Sequence, residues 1–315
     1  MTAYLIRRLL QSIVLLWLVS LATFFLIHSA PGGPAILVQP DVSREQAERL
    51  RAQLGLDEPL PVQYVKWLGN LVQGKLGRSY SQGVAVVTLI FERLPATLAL
   101  AGVSLLLSVA IAIPLGIISA LRPYSLLDQV ATAAAFFGMA VPTFWLGIML
   151  IIVFAVQLGW LPSAGMYTVG AGFDPLDRLR YIIMPAIVLS SAGIAQVTRY
   201  TRSTMLGVLH EDYMRTAVAK GLSQSQAIWR HGLKNALIPI VTVIGLLLPR
   251  LVSGAAITES VFAWPGMGRL AVEAAFQRDY PVIMGVTLLI SAVVIASNLV
   301  TDLLYVALDP RVKLQ

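Results

Sequence analysis

Long charge-free stretches alternate along this chain with shorter segments where charge, glycine and proline collect. A helix crossing ~30 Å of hydrocarbon needs about 20 residues at 1.5 Å each. Leu9 to Ile27 is uncharged and apolar and predicts a first span; the 28 residues Leu94 to Leu121 predict a second. The next gap holds 45 uncharged residues, 129–173, enough for two spans. Its apolar density fades after Leu158, and Gly159, Pro162, Gly165, Gly170 and Gly172 read as loop, so the pattern predicts one long span, about Val130 to Val156. Splitting that gap would give a seven-span alternative. Tyr181 to Thr198, Asn235 to Thr258 (interrupted only by Arg250) and Tyr280 to Thr301 complete six helices.

Two segments between spans carry patterns of their own. Ser29 to Arg93 is too long for a plain connector. Pro31-Gly32-Gly33-Pro34 ends the first helix. Ser43 to Leu54 is expected to be helical, with Ser43 and Gln46 as its cap, Ala47, Leu50 and Leu54 on one face, and Gly55 as its stop. Val62 to Val72 reads as a second amphipathic helix, with Trp67 suited to an interface. This segment fits either a lid lying on the membrane or a platform for an extracytoplasmic partner. The loop between spans four and five, 207–234, is richer. Asp212 is expected to cap a short helix that carries Lys220 in its last turn and ends at Gly221; Ser223 with Gln226 opens a second helix, Ser225 to Leu233. The pattern fits an amphipathic hairpin on the inner leaflet or a helix that docks into a partner's groove.

Composition narrows the class. Of 315 residues 57% are hydrophobic and 12% charged, against roughly 25% charged in a soluble domain, and the mean hydropathy is +0.78. That excludes an ordinary soluble enzyme, a disordered chain and a nucleic-acid-binding domain. With no cysteine there is no disulfide framework, thiolate metal site or cysteine nucleophile. His28, His210 and His231 are far apart, and neither a G-x-x-x-x-G-K-[ST] phosphate loop nor a G-x-S-x-G elbow occurs. The net charge of +7 is distributed unevenly. With the N-terminus inside, eleven Lys and Arg flank the membrane on the inner side, among them Arg7, Arg8, Arg122, the basic residues of 199–234, Arg311 and Lys313; the short outer loops hold four, Arg178, Arg180, Arg269 and Arg278. The bias predicts both termini in the cytoplasm. Arg7 and Arg8 also resemble a signal peptide's basic region, but the 19-residue apolar run is long and His28-Ser29-Ala30 is a poor cleavage site.

The run Asp212-Tyr213-Met214-Arg215-Thr216-Ala217-Val218-Ala219-Lys220-Gly221, followed by His231-Gly232-Leu233-Lys234-Asn235-Ala236-Leu237-Ile238-Pro239, resembles the cytoplasmic loop of importer-type ABC permeases, specifically the first-subunit type of the dipeptide, oligopeptide, nickel and glutathione permease family. Further landmarks are Tyr4 to Leu10, Leu54 to Pro59, Gly74 to Ser79, Glu259 to Gly268, Arg278 to Pro281, Asp302 to Tyr305 and Asp309 to Arg311, so the likeness spans nearly the whole chain. Pro31-Gly32-Gly33-Pro34 departs from the family's more usual P-G-D-P.

The resemblance implies an all-α, six-helix type I importer permease in a bacterial plasma membrane. It would be organised as an N-terminal helix (1–28), an extracytoplasmic loop (29–93) and a core (94–315) containing the cytoplasmic coupling loop. It implies three kinds of partner besides lipid and no nucleic acid: a second homologous permease, two ATPase subunits or domains, which would bind the ATP and Mg, and an extracytoplasmic solute-binding protein. The chain itself would catalyse no bond chemistry and hold no cofactor or metal. The residues expected to contact the ATPase are Asp212, Arg215, Thr216, Ala217, Lys220, Gly221, His231 and Leu233. The cargo would be a di- or oligopeptide, with glutathione and nickel chelates as alternatives. A stand-alone secondary transporter would want intramembrane ionisable relays; only Arg250, with Asp302 and Glu259 near span ends, is available. Arg250, Gly254 and Glu259 are the candidates for the substrate pathway. Arg250 is expected either to line it or to snorkel or pair with Glu259.

Overall fold

The computed structural model describes residues 2–38 and 42–308; Arg311, Lys313 and the Asp309-Pro310-Arg311 landmark lie outside the described residues. The chain divides into two compact units, one formed by Met1–Thr97 with Pro265–Ile295 and the other by Leu98–Trp264 with Ala296–Gln315. Among the described residues twelve α-helices follow one another: α1 Thr2–Ser29, α2 Arg44–Gln53, α3 Leu60–Val72, α4 Val86–Leu121, α5 Leu126–Ala140, α6 Thr143–Leu150, α7 Pro175–Leu209, α8 Asp212–Ala219, α9 Gln224–Ala227, α10 Leu233–Val261, α11 Met267–Gln277 and α12 Tyr280–Leu308. Five of them contain stretches long and apolar enough to cross a bilayer, and the count reaches six when α5 and the α6 segment are taken as one bent span.

Within the long span expected from Val130 to Val156 the structure places a sharp bend that the sequence pattern did not mark. The helix stops at Ala140 and resumes at Thr143, and its axis turns by 106° across the break. Pro142 is the cause. It has no N–H to donate, and its ring drives the preceding Val141 out of the helical region, to φ −77° and ψ 125°. Beyond α6 the helix widens into a π-helix, Ile151–Gln157. The other spans are also longer than the charge-free stretches that marked them, as α4 and α7 illustrate. Helix α4 begins at Val86, so the last turns of the expected 29–93 loop are helical. Helix α7 extends the 181–198 stretch at both ends, starting at Pro175, where Asp174 accepts a hydrogen bond from the Leu176 N–H at 2.9 Å.

In the first unit, α4 opens with Val86, Leu89 and Ile90, which pack with Met267, Leu270 and Ala274 of α11 and Val282 and Val286 of α12. Helix α3 lies against α1 through Phe24 and Tyr64, and the Ser20 hydroxyl sits 2.8 Å from the Tyr64 hydroxyl. The reciprocal cap expected at Ser43 and Gln46 is present, 2.9 and 3.3 Å, and a turn through Gly55 follows α2, as expected. In the second unit α7 is central and the most enclosed, packing against α5, α6 and α10. A Cβ on Gly116 would come within 2.8 Å of the Thr198 carbonyl oxygen, so glycine is what lets α4 approach α7 this closely.

Candidate functional site

The segment 207–234 forms a helical hairpin. Helix α7 ends at Leu209, and α8 starts at Asp212. The cap differs from expectation: Glu211 is the N-cap residue, in extended conformation and without a side-chain capping bond. Asp212 occupies the first helical position instead, where its carboxylate favours the helix N-terminus and stands 3.5 Å from the Arg215 guanidinium. The end of α8 follows the sequence reading closely. Gly221 has φ +92°. Its N–H donates to the Val218 carbonyl at 2.9 Å, and the Leu222 N–H donates to the Ala217 carbonyl at 3.3 Å. These two bonds are the Schellman pair, which satisfies carbonyls that a helix end otherwise leaves open. Leu222 then folds back onto Met214 and Ala217, the hydrophobic contact that accompanies this motif.

Ser223 and Gln226 form the expected reciprocal cap, at 3.0 and 3.3 Å. The second helix does not stop at Leu233. Helix α9 passes through a π-turn, Ile228–Gly232, directly into α10. Gly232 stays right-handed, φ −63° and ψ −60°, so nothing breaks the chain there. Leu233 is therefore the first residue of a 29-residue helix rather than the last of a short one. Met214, Ala217 and Ala227 form the hairpin's small buried core, with Leu209, Leu222 and Ile228 packed around it. Tyr213, Arg215, Thr216, Val218, Lys220 and Trp229 remain exposed, and His231 is half-buried, its carbonyl accepting from Asn235 at 3.0 Å. The hairpin is thus held from within by caps and a few apolar contacts, and it offers outward a mixed surface of aromatic, aliphatic and basic side chains.

The pathway candidates are not brought together. Arg250 is exposed on α10 and its guanidinium donates to the Gln196 side-chain oxygen on α7 at 2.9 Å. Gly254 is open, with no heavy atom within 4 Å of where a Cβ would stand. Glu259 is fully enclosed. The turn after it buries Phe262 and Trp264, and the Trp264 N–H donates to the Glu259 carbonyl at 2.8 Å.

Two polar clusters escaped the sequence reading. On α5, Asp128 is buried and takes a two-pronged ion pair from Arg202 of α7, at 2.6 and 2.7 Å, while also accepting from the Tyr124 N–H at 2.9 Å. In the first unit the buried carboxylate of Asp279 accepts from the Ser79 hydroxyl at 2.5 Å and from the Ser81 N–H and hydroxyl at 3.1 and 2.9 Å. Burial, helped by the nearby Asp279 charge, pushes the Tyr80 hydroxyl up to about 12. Gly74 to Ser79 and Arg278 to Pro281 were separate landmarks in the sequence; a Ser–Asp hydrogen bond joins them. Only the residue types hinted at either cluster, because each pair is separated by many residues.

The model of the family described as binding-protein-dependent transport system inner membrane component matches residues 112–314, and a companion model of that family's N-terminal region matches residues 1–101. The chain belongs to this family. Three relatives of this permease align along almost their whole length. The oligopeptide transport system permease protein AppB of Bacillus subtilis (strain 168) is 46% identical over 315 residues, 99% of this chain and 100% of that protein. A putative peptide permease protein of Brucella suis biovar 1 (strain 1330) is 45% identical, covering 99% of each chain. The probable peptide ABC transporter permease protein y4tP of Sinorhizobium fredii (strain NBRC 101917 / NGR234) is 40% identical, covering 99% of this chain and 100% of that one. Among solved structures, an inward-facing form of the MetNI methionine ABC transporter shares the fold, with a TM-score of 0.57 at 19% identity, over 70% of this chain and 96% of that chain. The permease is accordingly an all-α, multi-pass inner membrane protein with the type I importer fold.

Proposed function

We propose that this permease forms the translocation pathway of an ATP-driven importer of di- or oligopeptides, and that the 207–234 hairpin is where ATPase closure reaches the membrane helices. The hairpin carries the reading. It is internally capped, its second arm runs without a break into α10, and Arg215, Val218, Lys220 and Trp229 point away from its core. A push on such an element is passed on into α10, whereas a floppy loop would absorb it. The partners in this reading are a second homologous permease, two ATPase subunits or domains that bind ATP and Mg, and an extracytoplasmic solute-binding protein. Both termini and the hairpin are cytoplasmic, and 29–93 is extracytoplasmic. The peptide cargo is supported by relatives at 40 to 46% identity whose names specify peptides or oligopeptides. The test is uptake of a labelled peptide into proteoliposomes containing the whole complex. Uptake should need ATP and survive an ionophore; uptake abolished by the ionophore and indifferent to ATP refutes the proposal.

A further inference from the structure

The loop between the π-helix and α7 is built unlike a solvated connector. From residue 129 to residue 173 there is no charge at all, yet Trp160, Tyr167, Val169 and Phe173 are all exposed, Val169 at 92% and Phe173 at 76%, and Leu176 and Leu179 in the first turns of α7 are exposed beside them. The exposure is not a result of looseness. The Gly165 N–H donates to the Phe262 carbonyl at 2.8 Å. The Thr168 N–H and hydroxyl both donate to Asp177, each at 2.8 Å. Asp174 caps α7. The acidic side chains of Asp174 at the end of the loop and Asp177 in the first turn of α7 are therefore both engaged locally. The basic ones are not: neither Arg178 nor Arg180 forms an ion pair among the described residues. The Arg178 guanidinium instead lies 4.6 Å from the Phe173 ring centre and 5.4 Å from that of Tyr167.

We propose that this loop is an anchor in the headgroup–acyl boundary of the bilayer, with Trp160, Val169 and Phe173 dipping toward the acyl chains and Arg178 and Arg180 meeting lipid phosphates. Position supports this before chemistry does. The loop joins two membrane-spanning segments, and Arg180 immediately precedes the charge-free run that starts at Tyr181, which sets the two guanidiniums where α7 leaves hydrocarbon. Exposed apolar surface of this kind in water carries a cost that immersion removes. Trp and Tyr favour the boundary because one part of the ring system is apolar and the other polar. Arginine is more weakly hydrated than lysine and stacks on rings, so a ring-flanked guanidinium suits a half-dry site that contains phosphate.

The natural absence of cysteine makes the test direct. A nitroxide is placed by Val169→Cys in the full chain, assembled with its partner subunits in phosphatidylethanolamine–phosphatidylglycerol nanodiscs. Collisions with dissolved oxygen and with a water-soluble nickel chelate are then compared. The label should favour oxygen. Preference for nickel overturns the proposal, and a nickel-accessible label that becomes shielded only when the soluble binding protein is added assigns the face to protein docking instead. Adding Arg178→Glu places a carboxylate among phosphates and should lower the oxygen-to-nickel ratio several-fold; an unchanged ratio removes the phosphate contact from the account.

Discussion

The 207–234 hairpin and the third span differ in what fixes their shape. In the hairpin each turn is set by residues three to five positions apart: Ser223 with Gln226, Gly221 with Val218, Leu222 with Ala217. In the third span the decisive contacts are a local breaker hidden in an apolar run, Pro142, and an ion pair that reaches 74 residues, from Asp128 to Arg202. Locally determined structure distributes its stability over many contributions of about 1 kcal/mol. Structure held by a long-range ion pair places much more on one contact. The two regions should therefore respond to mutation in opposite ways.

The largest effect is expected at Asp128. Asp128→Ala removes a two-pronged ion pair and leaves the half-buried Arg202 guanidinium without its partner, which costs about 1–3 kcal/mol. The thermal midpoint of the purified complex should fall by several degrees, while insertion into the membrane persists. A midpoint equal to that of wild type would show that the pair is a passive surface contact.

At Pro142 the account concerns geometry more than stability. Pro142→Ala restores the missing N–H, and the helix from 126 to 157 is expected to straighten. Spin labels at Phe136 and Ile148, one on each side of the bend, should move apart. An unchanged separation would mean that packing in the second unit, rather than proline, sets the 106° angle.

Arg250→Gln removes the charge and shortens the side chain that donates to Gln196. If Arg250 attracts a peptide carboxylate, uptake falls several-fold with basal ATP hydrolysis intact. Normal uptake of a carboxylate-bearing peptide would leave the residue as a tie between α10 and α7. The smallest effect is predicted in the hairpin: Ser223→Ala loses one cap and should cost about 1 kcal/mol, read as a modest rise in hydrogen exchange at Gln224 to Ala227.

The same contrast explains what was legible in the sequence. The charge-free stretches located each of the five helices long and apolar enough to cross a bilayer, and the bent pair that brings the count to six, because hydrocarbon tolerates few charges whatever the tertiary structure. They misjudged ends, since α4 and α7 continue as helices beyond the apolar run, with Glu92 and Arg93 on one and Arg199 and Arg202 on the other. The Schellman turn at Gly221 was readable from a single glycine. The cap at Glu211 was not, because Asp212 beside it is the better capping residue and only backbone geometry separates them. The merger of α9 into α10 was hidden by Gly232, which looks like a stop but remains helical. Asp279 with Ser79, Asp128 with Arg202 and Arg250 with Gln196 were each visible as residues and invisible as pairs.

The central claim is that the hairpin transmits ATPase closure, and Gly221 tests it most directly. Apart from its own chain neighbours, no heavy atom lies within 4 Å of where its Cβ would stand, so the main penalty for a side chain is backbone strain at φ +92°, about 1–3 kcal/mol for a non-glycine residue. Gly221→Val should therefore disturb the end of α8 and little else. In proteoliposomes containing the complete complex, the variant is predicted to insert normally and to lose ATP-dependent peptide uptake. Wild-type uptake with wild-type ATP dependence in Gly221→Val would contradict the account.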